Sequence, residues 1–195
     1  GVPVVGRTRW LRVPYRNTRQ IFEAAYELIR SDEALLRQMR EETGMDLEPD
    51  LAGSQLRDGE KPLLRVFEDN EDMVRVLRSE ISHLLQEGIP PEQIAVLHRR
   101  ASGRKMLKRE LQGLNVVVNT FHGLKGMEYR VVFLTGLEES FRGSRGEMTG
   151  DELSAERRLL YMAMTRARAR LWLCSIGRPP QQLRAVDSKV DMLGI

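Results

Sequence analysis

The chain has 195 residues, 41% hydrophobic and 30% charged, an ordinary composition for a folded domain that excludes collagen-like, low-complexity and globally disordered classes. Lysine and arginine exceed aspartate and glutamate by 31 − 28 = 3, which permits a polyanionic partner without demanding one. A single cysteine, Cys174, and three scattered histidines (His83, His98, His122) exclude an internal disulfide framework and a cysteine-based zinc cluster, and they fit a reducing compartment. No apolar run approaches the ~18 residues of a membrane span, and the opening residues GVPVVGRTRW read as a cut through a longer protein.

Residues 9–13 form a short strand candidate. Asn17 is placed to cap a helix in which Ile21, Ala24, Ala25, Leu28 and Ile29 line one face. A more polar helix covers 31–43, and 44–62, rich in Gly, Pro, Asp and Gln without any period, reads as a surface loop. A strand at 63–67 leads into a helix that starts at Asp69 or Asn70, with Glu71 and Asp72 in its first turn. Met73, Leu77, Ile81, Leu84 and Leu85 make its buried stripe, and Gly88 with Pro90-Pro91 ends it. After a compact strand at 94–97 come Arg99, Arg100, Arg104, Lys105, Lys108 and Arg109 on a short helix. That basic segment either tracks phosphates or is a solvated face, and nothing aromatic interleaves with it.

The runs at 116–118 and 131–134 are β-branched and aromatic throughout, the pattern of strands covered on both faces. Residues 142–150 read as a mobile loop, 152–168 as a helix, 171–174 as a last strand, and the chain from 179 as a weak helix or linker. Strands alternating with helices predict an α/β fold with a mostly parallel sheet flanked by helices, one domain over 1–178 and a tail over 179–195. In such sheets ligands sit beyond the carboxyl ends of the strands, so the residues after each strand become the candidates.

Three segments stand out. Tyr15 and Arg16 offer a flat ring and an anion-seeking guanidinium before a helix, although a packed tyrosine and a solvated arginine account for them equally well. Residues 119–129, NTFHGLKGMEY, place Thr120, His122, Lys125 and Glu128 among the glycines Gly123 and Gly126, which allow close backbone approach to a ligand. Residues 156–168 hold Glu156, Arg157, Arg158, Thr165, Arg166 and Arg168 on a helical pattern, and favourable charges near a helix carboxyl end explain part of that set. No GxxxxGK[ST] loop occurs, so the chain alone does not cradle ATP and its metal in the P-loop manner.

Taken in order, these segments resemble the C-terminal half of UvrD/Rep/PcrA-type superfamily 1 DNA helicases. LRVPYRNTRQI is similar to that family's motif IV, IAVLHRR to the strand that follows it, VVVNTFHGLKGMEYRVVFLTGLEESF to motif V, and ERRLLYMAMTRARARLWL to motif VI. The resemblance implies a second RecA-like domain without its own P-loop, the far half of a two-lobed ATP-driven motor of 3′–5′ polarity. It implies ATP with Mg²⁺ held by an N-terminal RecA-like lobe, single-stranded DNA or a single-strand/duplex junction as partner, no membrane partner, and a bacterial, cytoplasmic, nucleoid-associated setting. By the same resemblance Tyr15 stacks near the adenine, Arg16 reaches the γ-phosphate, Glu128 bonds the ribose, Arg166 is the arginine finger, and Gly126 belongs with this ATP set. Thr120, His122, Lys125 and Thr165 fall to the DNA side. Pro14 departs from the usual asparagine, Met127 and Tyr129 replace Leu and Phe, and the long helical insertion of well-studied relatives is reduced to 99–115. The alternative is a non-catalytic helicase-like DNA-binding or scaffold domain. A metabolic phosphate-binding domain is disfavoured by the lack of GxGxxG and of a nucleophile elbow.

Overall fold

The computed structural model of the chain describes residues 16–43, 56–123, 126–143 and 147–193, so the strand expected at 9–13 lies outside the described residues. In chain order the main elements are α1 (Arg19–Ile29), α2 (Glu33–Thr43), β1 (Leu63–Phe67), α3 (Asn70–Gln86), β2 (Ile94–His98), α4 (Ala101–Glu110), β3 (Val117–Thr120), β4 (Tyr129–Thr135), α5 (Gly150–Met164), β5 (Ala167–Ile176) and β6 (Asp191–Leu193). The strands form one sheet in the order β3-β2-β4-β5-β1-β6, and every pairing is parallel.

Strand alternation sorts the core into two layers. Ala95, Leu97, Val132, Leu134, Leu171 and Leu173 point to one face and pack with α1, α2 and α5. Ile94, Val96, Val131, Phe133 and Cys174 point to the other and pack with α3 and α4. All five residues of β2 are buried, as a strand covered on both faces requires. The 3-10 run Gln181–Lys189 carries buried Leu183 and Val186 into the α1 layer, and β6 then pairs with β1. The stretch read from sequence as a weak helix or linker is thus packed against the same core.

Two local expectations change. Thr18, not Asn17, occupies the N-cap of α1, because the Asn17 amide is engaged elsewhere. The last long helix ends at Met164, not at residue 168, and β5 begins at Ala167. The reason is visible in the residues: in Arg166-Ala167-Arg168-Ala169-Arg170 charge alternates with a period of two, a strand pattern, and Ala167 is buried while Arg168 is exposed.

His98 closes β2 and is 5% exposed. Burial pushes its imidazole below the ordinary value against the opposing pull of Glu139 and Glu138, and Nδ1 accepts the Arg100 N–H at 3.0 Å. The ring is seated between two glycines: a Cβ on Gly103 would stand 2.1 Å from it and one on Gly136 2.6 Å. A helix interior gains up to about 1 kcal/mol from Gly→Ala. Gly103→Ala is expected to lose about 1–3 kcal/mol instead, because overpacking outweighs propensity. Urea denaturation measures the sign, and a gain in stability would contradict this seating of His98.

Candidate functional site

β4 and β5 lie side by side and start at the same sheet edge, with Tyr129 opposite Ala167. The Tyr129 N–H donates to the Arg166 carbonyl at 2.9 Å. This pairing brings together the two residues that precede the strands, Glu128 and Arg166, although 38 positions separate them in sequence. Residues 16–18 lie across the same junction. The Asn17 side-chain amide donates to the Thr165 carbonyl at 2.8 Å and to the Ala167 carbonyl at 2.5 Å. The Arg57 guanidinium donates to the carbonyls of Arg16 (3.3 Å) and Arg168 (3.5 Å). Arg16 reaches Glu128, Nη1 to Oε2 at 3.4 Å. Arg166 Nε donates to the Met162 carbonyl at 3.0 Å, which holds the guanidinium at the negative end of α5. Gly126 takes a left-handed turn at φ +72°, a conformation that suits glycine, two residues before Glu128.

Arg16, Gly126, Glu128, Thr165 and Arg166 therefore share one rim, at the amino ends of β4 and β5. Gly126, Glu128, Thr165 and Arg166 stand before their neighbouring strands β4 and β5, not at the carboxyl ends where candidates were expected, while the strand expected before Arg16 lies outside the described residues. Thr120 ends β3 and His122 follows it, and both stand at the opposite, carboxyl edge, where Thr120 pairs with His98. The turn after β3 is held by its own side chains: Gly123 N–H donates to Thr120 Oγ1 at 3.2 Å, and Asn119 Nδ2 donates to the Gly123 carbonyl at 3.2 Å. His122 is exposed there. β3 ends at the carboxyl edge and β4 begins at the amino edge, so Phe121–Gly123 and Gly126–Glu128 lie at opposite edges of the sheet. Thr165 is apart from Thr120 and His122; its hydroxyl donates to the Tyr161 and Met162 carbonyls at 3.0 and 3.1 Å. Tyr15 and Lys125 lie outside the described residues.

Sequence reasoning missed what aims Arg166. Glu156, Arg157 and Arg158 are consecutive on α5, so they leave the helix in three directions. Glu156, 5% exposed, takes a two-pronged bond from Arg99 at the end of β2, at 2.7 and 2.6 Å. Arg157 bonds Asp32 at 3.1 Å, and Arg158 pairs with Glu42 at the end of α2. The charged start of motif VI is a set of fastenings, and only the far end of α5 reaches the rim. The signal was present: Arg99 directly follows a fully buried strand, where an arginine needs a partner.

The sequence profile of the UvrD-like helicase C-terminal domain family matches residues 10–120 and 106–178. The chain belongs to that family. It is similar to the ATP-dependent DNA helicase PcrA of Bacillus subtilis (48% identity over 59 residues, 30% of this chain and 8% of the relative). It is similar to the ATP-dependent DNA helicase UvrD1 of Mycobacterium tuberculosis (48% over 59 residues, 30% and 8%) and to the ATP-dependent DNA helicase Rep of Buchnera aphidicola (30% over 87 residues, 42% and 13%). The chain thus spans about a tenth of the length of these curated relatives. The crystal structure of the C-terminal domain of a possible DNA helicase from Lactobacillus plantarum WCFS1 shares the fold, with a TM-score of 0.65, 17% identity, and coverage of 92% of this chain and 98% of that one. The UvrD-like domain seen here is accordingly an α/β sheet of RecA type that has no P-loop of its own. Among the described residues no helix is long and apolar enough to cross a membrane.

Two outcomes follow from the fastenings. Glu156 is buried and Arg99 part-buried, so removing one partner strips the other of two charge-assisted bonds, at a cost of about 1.5–3 kcal/mol. Glu156→Ala is expected to lose stability in that range by urea denaturation, with Arg99→Ala/Glu156→Ala losing less than the sum of the two single variants. Asp32 is disfavoured as an anion by burial, but the Ser154 hydroxyl, the Leu35 N–H and the Arg157 guanidinium outweigh this and hold its carboxyl below the ordinary value. Its contribution is complete above the unfolded-state pKa and is lost as pH falls through the lower folded-state pKa. Asp32→Asn should lower the melting temperature at pH 7 and flatten the acid-side decline below about pH 4; thermal melts across pH that superimpose on wild type would contradict this.

Proposed function

We propose that this chain is one half of an ATP-driven DNA motor, the half that brings charge to a nucleotide held mainly by an N-terminal RecA-like lobe. The observation that carries the reading is the convergence of Arg16, Glu128 and Arg166 on one rim of a chain without GxxxxGK[ST]. The donor set suits a nucleoside triphosphate. Two guanidiniums match phosphate oxygens, and a carboxylate matches a sugar hydroxyl. It does not suit a metal: among the described residues no three His, Cys, Asp or Glu side chains cluster, so Mg²⁺ belongs to the other lobe in this reading.

Phosphoryl transfer spreads charge over the equatorial phosphate oxygens, and a guanidinium supplied from a second lobe stabilises that charge only when the lobes close. Arg166 is the finger and Arg16 its companion on the γ-phosphate. Both rest on acceptors of their own chain, Met162 O and Glu128, so phosphate oxygens must displace those contacts. Glu128, once released, is free for the ribose, with the Gly126 turn giving the backbone room to approach. Tyr15 stacks on the adenine. The opposite edge, with Thr120 and His122, takes the single strand, with Lys125 assisting, whereas Thr165, on the nucleotide rim, takes no part there. Because Phe121–Gly123 and Gly126–Glu128 lie close in sequence but at opposite edges, lobe closure at one edge moves the strand contacts at the other. Repeated closure then carries the protein along DNA, 3′ to 5′ as in the family.

The test uses the longer protein with both lobes and the isolated chain. The isolated chain is expected to show no DNA-stimulated ATPase. In the longer protein Arg166→Ala should reduce turnover by about 10³-fold or more with little change in single-strand affinity, as arginine-finger losses do. Turnover within about tenfold of wild type would remove the finger assignment. Tight DNA binding by a longer protein that never hydrolyses ATP would favour the non-catalytic scaffold reading instead.

A further inference from the structure

α4 carries charge that neither the fold nor the nucleotide rim uses. Its ten residues hold four cations (Arg104, Lys105, Lys108, Arg109) and one anion (Glu110), a net 4 − 1 = +3. The whole chain has a net charge of +3, so this one helix equals the entire excess. Leu107 turns inward to the core shared with α3, and Arg104, Lys105, Lys108 and Arg109 are all exposed. Arg109 pairs with its neighbour Glu110, whereas Arg104, Lys105 and Lys108 have no carboxylate partner among the described residues.

This arrangement costs the helix. Arg104 with Lys108 and Lys105 with Arg109 are like charges four apart, and Lys105 with Lys108 three apart, each destabilising by about 0.2–0.5 kcal/mol. Lys108 and Arg109 recover some of this from the helix carboxyl end, but Arg104 and Lys105 sit a turn too early. Gly103, which makes room for His98, weakens the same turn further. A helix with this composition gains from a polyanion laid along it.

We propose that the exposed face of α4 is a docking surface for the sugar-phosphate backbone of duplex nucleic acid, separate from the single-strand contacts assigned to Thr120 and His122. Charge complementarity supplies the attraction. The choice of duplex over single strand rests on what the face lacks. Surfaces that take single strands interleave cations with aromatic rings on which bases stack. Neither α4 nor 111–115 after it contains an aromatic residue, so this face can hold phosphates but has no platform for a base. A duplex keeps its bases stacked inside and presents a dense phosphate lattice. α4 starts directly after the carboxyl end of β2, next to β3, so a duplex lying on it would adjoin the Thr120/His122 edge. The inference takes from the proposed function only that the ligand is nucleic acid; it is independent of ATP.

The experiment compares the chain as it stands with Arg104→Gln/Lys105→Gln/Lys108→Gln, using fluorescence anisotropy with a blunt duplex of about 20 base pairs and an oligothymidylate of equal length, over a range of salt. All three side chains are exposed, so melting should be unchanged or raised, which circular dichroism checks. The expected result is a loss of duplex affinity of at least about tenfold, with the log–log salt slope reduced by about 2–3, near 0.9 for each phosphate contact removed. Oligothymidylate affinity should change less than about twofold. Unchanged duplex affinity and slope, no duplex binding by the wild-type chain at low salt, or an equal loss for both probes would each overturn the proposal. The separate variant His122→Ala should weaken oligothymidylate alone, so failure of the single-strand assignment shows independently of α4.

Discussion

The main-chain bond from the Tyr129 N–H to the Arg166 carbonyl is the contact on which the rim depends. It begins the pairing of β4 with β5 and sets the residue before each strand beside the other. Parallel neighbours lie about 4.8 Å apart, so two side chains launched from adjacent strand starts are within reach of one small ligand. Asn17 then adds a third segment by giving both amide hydrogens to carbonyls on either side of Arg166. These are buried or half-buried bonds between backbone and amide, and they do not depend on ligand. The rim is therefore preorganised in its backbone, while its charged side chains rest on exchangeable partners.

Division of labour between the middle and the carboxyl end of α5 extends the same logic. Its middle is fastened by three ion pairs to the end of β2 and to the α1–α2 region, and one of these is nearly dry at Glu156. The carboxyl end stops at Met164 and passes Arg166 to the rim. Arg99 makes the Glu156 fork while its own N–H donates to the Thr135 carbonyl, so the ends of β2 and β4 are tied to the helix that precedes the rim. The two sheet edges are joined by this packed path.

Much of this architecture was legible in the residues. The strands at 63–67, 94–97 and 131–134 and the apolar stripe of α3 follow directly from runs and periods, because their apolar side chains (all of β2, 131–134 of β4, Leu64 and Phe67 of β1, one face of α3) are buried in the core. Arg16, Glu128 and Arg166 were grouped by the resemblance to helicase motifs IV, V and VI, whereas each taken alone had an ordinary structural explanation or a local role. What failed was non-local. Asn17 reads as a helix cap from its neighbours, and its actual acceptors lie 148 and 150 positions away. The helix was carried past Met164 because Ala167 continues the apolar stripe, although the alternation from Arg166 to Arg170 already marked a strand. The carboxyl-edge rule for α/β sheets describes a domain that holds its own ligand. A domain that closes on a ligand seated elsewhere can offer its other edge, which no local pattern announces.

The most direct measurement is a structure of the longer two-lobed protein with a non-hydrolysable ATP analogue and a single DNA strand. The account predicts guanidinium nitrogens of Arg166 and Arg16 within about 3 Å of phosphate oxygens, the Arg16–Glu128 ion pair opened, and the strand at the edge of Thr120 and His122. A nucleotide lying wholly against the other lobe, with Arg166 still on the Met162 carbonyl and Arg16 still on Glu128, would contradict it.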